Sequence, residues 1–166
     1  MSNLSIHVYP DPILALKSED VAEFDKNLSD LIQDMIDIMN KKKGIGLAAP
    51  QVGVSKKIII FRTVGEETEM ARHLINPEII EASGSVIVEE GCLSLPKTYA
   101  KVKRYKKIKV RGFDRHKREI ILETDKFWGV IIQHEIDHLN GKLFIDRLNL
   151  LKKKMVLSKF KKENKE

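Results

Sequence analysis

Two histidines four positions apart, His134 and His138, with Glu135 directly after the first, stand in the stretch QHEIDHLNG (133–141). On a helix, residues at i and i+4 lie one above the other, so both imidazoles can converge on one divalent ion while the glutamate faces the same open coordination position. The chemistry this serves is metal-assisted hydrolysis. A bound dication makes water ionise near neutral pH, and a neighbouring carboxylate takes up the proton. Two imidazoles leave the coordination sphere incomplete, so a third ligand must come from elsewhere. One protease pattern continues to a further histidine beyond Gly141, but Phe144 occupies that position. Another takes a glutamate farther downstream, where Glu163 lies in a lysine-rich tail ill suited to hold an ion.

Cys92, in EEGCLSLP, is the remaining candidate and the only cysteine of the chain. A lone cysteine can be a small buried hydrophobe. As a thiolate it would complete a Cys-His-His set with the fourth position open for water, the arrangement that separates catalytic from structural sites. Gly91 before it allows a sharp turn or a close approach of a ligand. A further segment, GIGLAAPQVG (44–53), reads on its own as a tight turn of closely packed small residues leading to Gln51.

The elements that must position these residues follow from hydrophobic period. Leu28, Leu31, Ile32, Met35, Ile36 and Met39 recur at helical spacing, so an amphipathic helix is expected from about Asp25 to Lys42, with Lys41 to Lys43 as a cationic last turn and Gly44 as the stop. Strand-like segments follow at 56–61, around Asn76-Pro77, at 85–90, through 99–113 and at 118–124, with DRHK (114–117) as a hairpin turn. A second helix spans roughly Lys126 to Asn140. It is apolar nearly all round: His134, His138, Phe127, Val130 and Ile131 share one side, and Trp128, Ile132, Ile136 and Leu139 the other. Such a helix is central and buried, and its polar residues need partners. A third, charged helix from about Asn149 is expected to fray at its end. Strands bracketed by helices without regular alternation give an α+β fold, with short, mostly antiparallel sheets around a central metal-binding helix.

With 166 residues, 42% of them hydrophobic, there is material for one core, and residues 1–166 read as a single domain. No stretch approaches the roughly 18 consecutive apolar residues of a membrane span, and the opening MSNLSIHVYPDPIL has no signal or transit pattern, which points to a cytoplasmic protein. The net charge of +6 concentrates between Lys97 and Arg118, where Asp114 is the only acid, and in the tail from Lys152, where Glu163 and Glu166 oppose seven lysines. These runs read first as solvated faces. Weak, salt-dependent attraction of the tail to RNA or a ribosomal surface is the livelier reading, and no motif supports sequence-specific nucleic-acid binding. Glu90 and Arg104 could pair and brace the strand carrying Cys92; at an exposed position such a pair contributes only ~0–1 kcal/mol.

Taken together and in this order, GIGLAAPQVG, EGCLSLP and QHEIDHLNG resemble the three signature motifs of the peptide deformylases, which remove the formyl group from the N-terminal methionine of new bacterial-type chains. The resemblance runs from about Tyr9, in YPDPIL, to the last helix. It departs at ALKSEDV, where a basic continuation is usual, and at Tyr99, where many members place an arginine that contacts a substrate carbonyl. The resemblance implies that Cys92, His134 and His138 hold one divalent metal, Fe²⁺ in the cell, with Zn²⁺, Ni²⁺ or Co²⁺ able to replace it. Ligand identity alone would favour tetrahedral zinc. It also implies that Glu135 moves the proton, and that the Gln51 side-chain amide and the Leu93 backbone N–H steady the oxyanion. Formyl-methionyl nascent peptides would be the substrate. Phe127, Val130 and Ile131, opposite Ile45 in the Gly44 to Gly46 turn, would form an apolar slot for methionine, with the peptide extended near Gly46 and Gly91 as an added strand. Two rivals share the helix motif: another metal-dependent amidase or peptidase, and a silent module with a structural metal and an RNA-binding surface.

Overall fold

The computed structural model describes residues 3–165; Met1 and Ser2 of the opening stretch, and Glu166, counted above among the tail's acids, lie outside the described residues. The amphipathic pattern from Leu28 to Met39 forms α1 (Lys26–Lys41). The helix begins where the Asp25 carboxylate accepts from the Leu28 amide at 3.0 Å, satisfying a first-turn donor that has no partner within the helix. Its end differs from the expected glycine stop. The Gly44 amide donates to the Met39 carbonyl at 2.8 Å and the Lys43 amide to Asn40 at 3.0 Å, the pair of bonds that closes a helix through one left-handed residue. That residue is Lys43, at φ +56°, and not Gly44. A side chain in this conformation costs about 1 kcal/mol or more.

The strands are β1 (Gly46–Ala48), β2 (Ile58–Arg62), β3 (Ala71–Ser83), β4 (Val86–Cys92), β5 (Leu95–Arg104), β6 (Lys107–Phe113) and β7 (Glu119–Thr124), followed by α2 (Phe127–Leu139) and α3 (Leu150–Glu163). One sheet has the order β1-β2-β3-β6-β7 and the other is the hairpin β4-β5, with every neighbouring pair antiparallel. The larger sheet lies between α1 and α2, which explains the unbroken apolar run of β2. Successive side chains of a strand point to opposite faces. Ile58 and Ile60 therefore pack with Ile32, Met35 and Met39 of α1, while Ile59 and Phe61 pack with Trp128 and Ile132 of α2. The Phe61 and Trp128 rings stack at 5.8 Å. A third cluster joins Leu95 and Val102 of the hairpin to Leu143, Phe144, Ile145 and Phe160.

Three expectations need correction. GIGLAAPQVG is more than a turn: β1 pairs with β2 in the register Gly46↔Phe61, and Ala49–Val52 then forms a short 3₁₀ helix. The segment 99–113 is two strands in different sheets. At the crossover the Gln133 side chain of α2 accepts from the Tyr105 amide and donates to the Tyr105 carbonyl, both at 3.0 Å, so backbone groups that leave one ladder are satisfied before the next begins. The end of α3 is tied down: Phe160 is buried, and Asn164 donates to the Pro96 carbonyl at 3.1 Å. The basic run from Lys97 to Arg118 also meets acids from other segments, with Lys107 on Glu123 and Arg111 on Glu78.

Candidate active site

α2 is apolar because it fills the space between the five-stranded sheet and the hairpin, and of its buried polar side chains Gln133, His134 and Asp137 face hydrogen-bond partners there. His134 and His138 project toward the end of β4, where Cys92 sits. One donor atom from each of these three residues lies within 4.8 Å of the others, with Cys92 Sγ 3.4 Å from His138 Nε2. Metal–sulfur and metal–nitrogen bonds of about 2.3 and 2.0–2.1 Å at a tetrahedral angle would separate such donors by about 3.5 Å. The Cys92–His138 separation matches that value and the third donor lies within reach, so the donor set suits a divalent ion.

The two imidazoles are held differently. Nδ1 of His134 is 2.8 Å from the Glu90 carboxylate, which turns Nε2 toward Cys92. Nδ1 of His138 is buried with no partner among the described residues. Glu90 is in turn gripped by both nitrogens of the Arg104 fork, at 2.7 and 2.8 Å, and Arg104 reaches Asp137 at 2.7 Å. Asp137 also accepts from Arg147 at 2.6 Å. Burial alone would raise the Glu90 carboxyl, but the hydrogen bonds from Arg104 and His134 outweigh it and hold it at about 2. The expected Glu90–Arg104 pair thus exists but is corrected in depth: at 7% and 4% exposure it is part of a buried network, where the weak surface estimate does not apply.

Glu135 comes from the same turn of α2, and burial raises its carboxyl to about 7, with Glu90 and Asp137 adding to the effect and His134 and Arg104 opposing it. One of its oxygens, Oε2, is buried without a hydrogen-bond partner, and the other lies so close to Gly46 that a Cβ there would collide with it. This contact explains a glycine in β1. Gln51 is held by its own turn, with Oε1 accepting from the Ala48 amide at 2.9 Å, and its Nε2 donates to Ser94 Oγ at 3.1 Å and lies 3.4 Å from Cys92 Sγ. Its amide nitrogen thus faces the metal donors. The Leu93 amide, at the tip of the β4–β5 turn, makes no hydrogen bond among the described residues.

These groups border a cavity of about 520 Å³. Gln51, Cys92, Leu93, His134 and Glu135 line its floor; Gly44, Ile45, Gly46, Gly91, Phe127, Val130 and Ile131 line its walls, so every residue expected for substrate binding opens onto this space. His138 stands just behind, 1% exposed. Gly91 is close-packed in its own way: a Cβ would fall 2.6 Å from the Tyr99 ring, which lies across it. Sequence reasoning missed Ser94, Asp137, Arg147 and Gln133. For Asp137 and Gln133 there was a signal, since any polar side chain within so apolar a helix requires a partner.

A family model described as polypeptide deformylase matches residues 3–154. The peptide deformylase of Hydrogenovibrio crunogenus is 47% identical over 163 residues, covering 98% of this chain and 96% of that protein. That of Thermodesulfovibrio yellowstonii is 44% identical over 162 residues, covering 97% and 98%. Among solved structures, a peptide deformylase from Legionella pneumophila superposes with a TM-score of 0.90 at 39% identity, covering 98% of this chain and 95% of that one. The Ehrlichia chaffeensis peptide deformylase in complex with actinonin gives 0.91 at 37% identity, with 100% of each chain covered. With the family model spanning nearly the whole length and relatives matching from end to end, the chain belongs to the polypeptide deformylase family.

Proposed function

We propose that this protein removes the formyl group from the N-terminal formyl-methionine of newly synthesised polypeptides, releasing formate and a free amine. The observation that carries the reading is the meeting of Cys92, His134 and His138 donor atoms at and just behind the floor of a cavity that Glu135, with its unpartnered oxygen, also lines. The chain is a metal-dependent hydrolase, and Fe²⁺ is our assignment for the ion in the cell, with Zn²⁺, Ni²⁺ or Co²⁺ as substitutes; a set of one sulfur and two imidazole nitrogens suits any of them. Bound there, a divalent ion acidifies water and polarises a carbonyl oxygen.

The chain's own residues do the rest. Glu135, made basic by burial, takes the proton of the attacking water and later returns it to the departing amine. As the formyl oxygen becomes negative it receives the Gln51 side-chain N–H and the Leu93 backbone N–H, both fixed before the reaction; losing one such donor costs roughly 3 kcal/mol in the barrier. Burial of Val130 and Ile131 beside half-open Phe127 and Ile45 provides an apolar slot for an unbranched thioether side chain. The peptide beyond methionine lies extended between Gly46 and Gly91. This mode reads main chain and tolerates many sequences.

The enzyme would act in the cytoplasm, where formylated chains emerge. A ribosomal contact through α3 is supported by the exposure of Lys152, Lys154, Lys159, Lys161 and Lys162 on that helix. No helix among the described residues is long and apolar enough to cross a membrane. The test is formate release from formyl-Met-Ala peptides by the metal-loaded protein and its Glu135→Gln variant. The unaltered chain should prefer formyl over acetyl peptides, and the variant should keep its metal while losing turnover. Comparable hydrolysis of acetyl peptides would favour a broader amidase, and an active Glu135→Gln enzyme would remove Glu135 from proton transfer.

A further inference from the structure

The rim of the active-site cavity carries three ammonium groups from two separate parts of the chain. Lys42 and Lys43 come from the end of α1, and Lys97 from the start of β5. All three are exposed, and none has an ion-pair or side-chain hydrogen-bond partner among the described residues. Unpaired lysines are common on this chain; what sets these three apart is that they border one cavity, whereas lysines such as Lys56, Lys107 and Lys126 are neutralised locally by Glu19, Glu123 and Glu66. Of the acids around the cavity, Glu90 is engaged by Arg104 and His134, and Glu135 is buried on the floor. Among the described residues lining the cavity Glu89 is the one exposed acid, so three lysines less one glutamate leave this described lining of the mouth at +2.

Two of the three lysines also occupy left-handed backbone positions, Lys43 at φ +56° and Lys97 at φ +60°, where glycine or asparagine would sit with less strain. The C-terminal dipole of α1 accounts for cations at Lys41 and Lys42. It asks for none at Lys97, which belongs to the opposite wall. Lys43 lies three residues before Gly46, and Lys97 lies on the strand that pairs with Gly91. Gly46, Gly91, Lys43 and Lys97 all border the one cavity, so a peptide leaving its floor between those glycines leaves through a mouth that carries these unpaired cations.

Resting on the reading of the cavity as a deformylase site, we infer that the rim selects formylated chains that carry an acidic side chain within the first few residues after methionine. A formylated terminus brings no ammonium of its own, so such a segment is net negative and is attracted as a whole. Charges of this kind raise the capture rate and weaken as salt shortens the screening length from about 10 Å at 0.1 M to about 3 Å at 1 M.

The experiment uses the metal-loaded full chain and C-terminally amidated formyl-methionyl peptides that differ only in Glu or Gln at position 2, 3 or 4. At low salt, kcat/KM for at least one Glu peptide should exceed that of its Gln twin by roughly threefold to tenfold, the scale of one or two exposed charge pairs, chiefly through KM. The ratio should fall toward one at about 0.5 M salt. In Lys43→Asp/Lys97→Asp it should drop below one; aspartate tolerates the left-handed conformation, so both backbones can be kept. Turnover of the Gln peptides with a ratio of one or less at every position would overturn the inference and leave the deformylase reading standing, as would a ratio that survives the double substitution. No deformylation of any peptide would sink the deformylase reading, and the inference with it. If the double variant does not fold, the salt dependence of the unaltered chain decides.

Discussion

Arg104→Met is the perturbation that best exposes how the site is braced. Arg104 is 4% exposed and donates to Glu90 at 2.7 and 2.8 Å and to Asp137 at 2.7 Å. Methionine fills much of the volume but leaves two buried carboxylates, one with only His134 as a cationic neighbour and the other with only Arg147. Removing one partner from such a network costs about 3–5 kcal/mol, because the remaining charge cannot recover its hydration. For a chain of this size each kcal/mol moves the melting temperature by roughly 2–4 °C, so a fall of about 6–20 °C is expected. The measurement is thermal unfolding of metal-free protein, since bound metal adds its own stability. Glu90→Gln in the Arg104→Met background should cost less than it does alone, with a coupling of about 1–3 kcal/mol in a double-mutant cycle. A single variant within about 1 kcal/mol of the parent, with additive effects in the cycle, would refute the argument that burial makes this network costly to break.

Glu90→Gln alone should weaken metal binding about 10–100-fold, because the amide no longer fixes His134 as the carboxylate does; chelator competition measures it, and unchanged affinity would exclude Glu90 from positioning that ring. The Glu90 carboxyl titrates lower in the fold, at about 2, than its ordinary 4.5, so its contribution to stability is complete above about 4.5 and is lost as pH falls toward 2. Acid unfolding of the metal-free chain should therefore flatten over that window in Glu90→Gln, and an identical profile would contradict the assignment. Gly46→Ala places a methyl group against the Glu135 carboxylate and 2.8 Å from Ile131 Cγ2, so it should cost about 1–3 kcal/mol in stability and lower kcat with metal content retained. Unchanged turnover would show that Glu135 does not depend on that close approach.

Much of this arrangement could be read from residue order. α1 was legible because its apolar residues keep helical period from Leu28 to Met39, and α2 because an all-apolar helix has to be central. The metal donors were legible because His134, Glu135 and His138 share one element and Cys92 is the only cysteine, and the lining of the cavity by Phe127, Val130 and Ile131 because they share the ligands' side of that helix. What escaped depends on partners remote in sequence. The Glu90–Arg104 pair was legible as a brace, but its burial and its further partner Asp137, which comes from α2, were not. The break between β5 and β6 has no glycine or proline to mark it, because Gln133 of α2 satisfies the backbone there. The left-handed residue closing α1 is Lys43 although a glycine stands next to it, a choice that local propensity would not make.

The central claim is that one sulfur and two imidazoles hold a divalent ion beside Glu135, and X-ray absorption at the metal edge of the loaded, anaerobically handled protein tests it most directly. The account predicts a single sulfur at about 2.3 Å together with nitrogen or oxygen neighbours at about 2.0–2.2 Å, and loss of the sulfur shell in Cys92→Ser. A spectrum with only nitrogen and oxygen neighbours in the unaltered protein, or a sulfur shell that persists without Cys92, would contradict it.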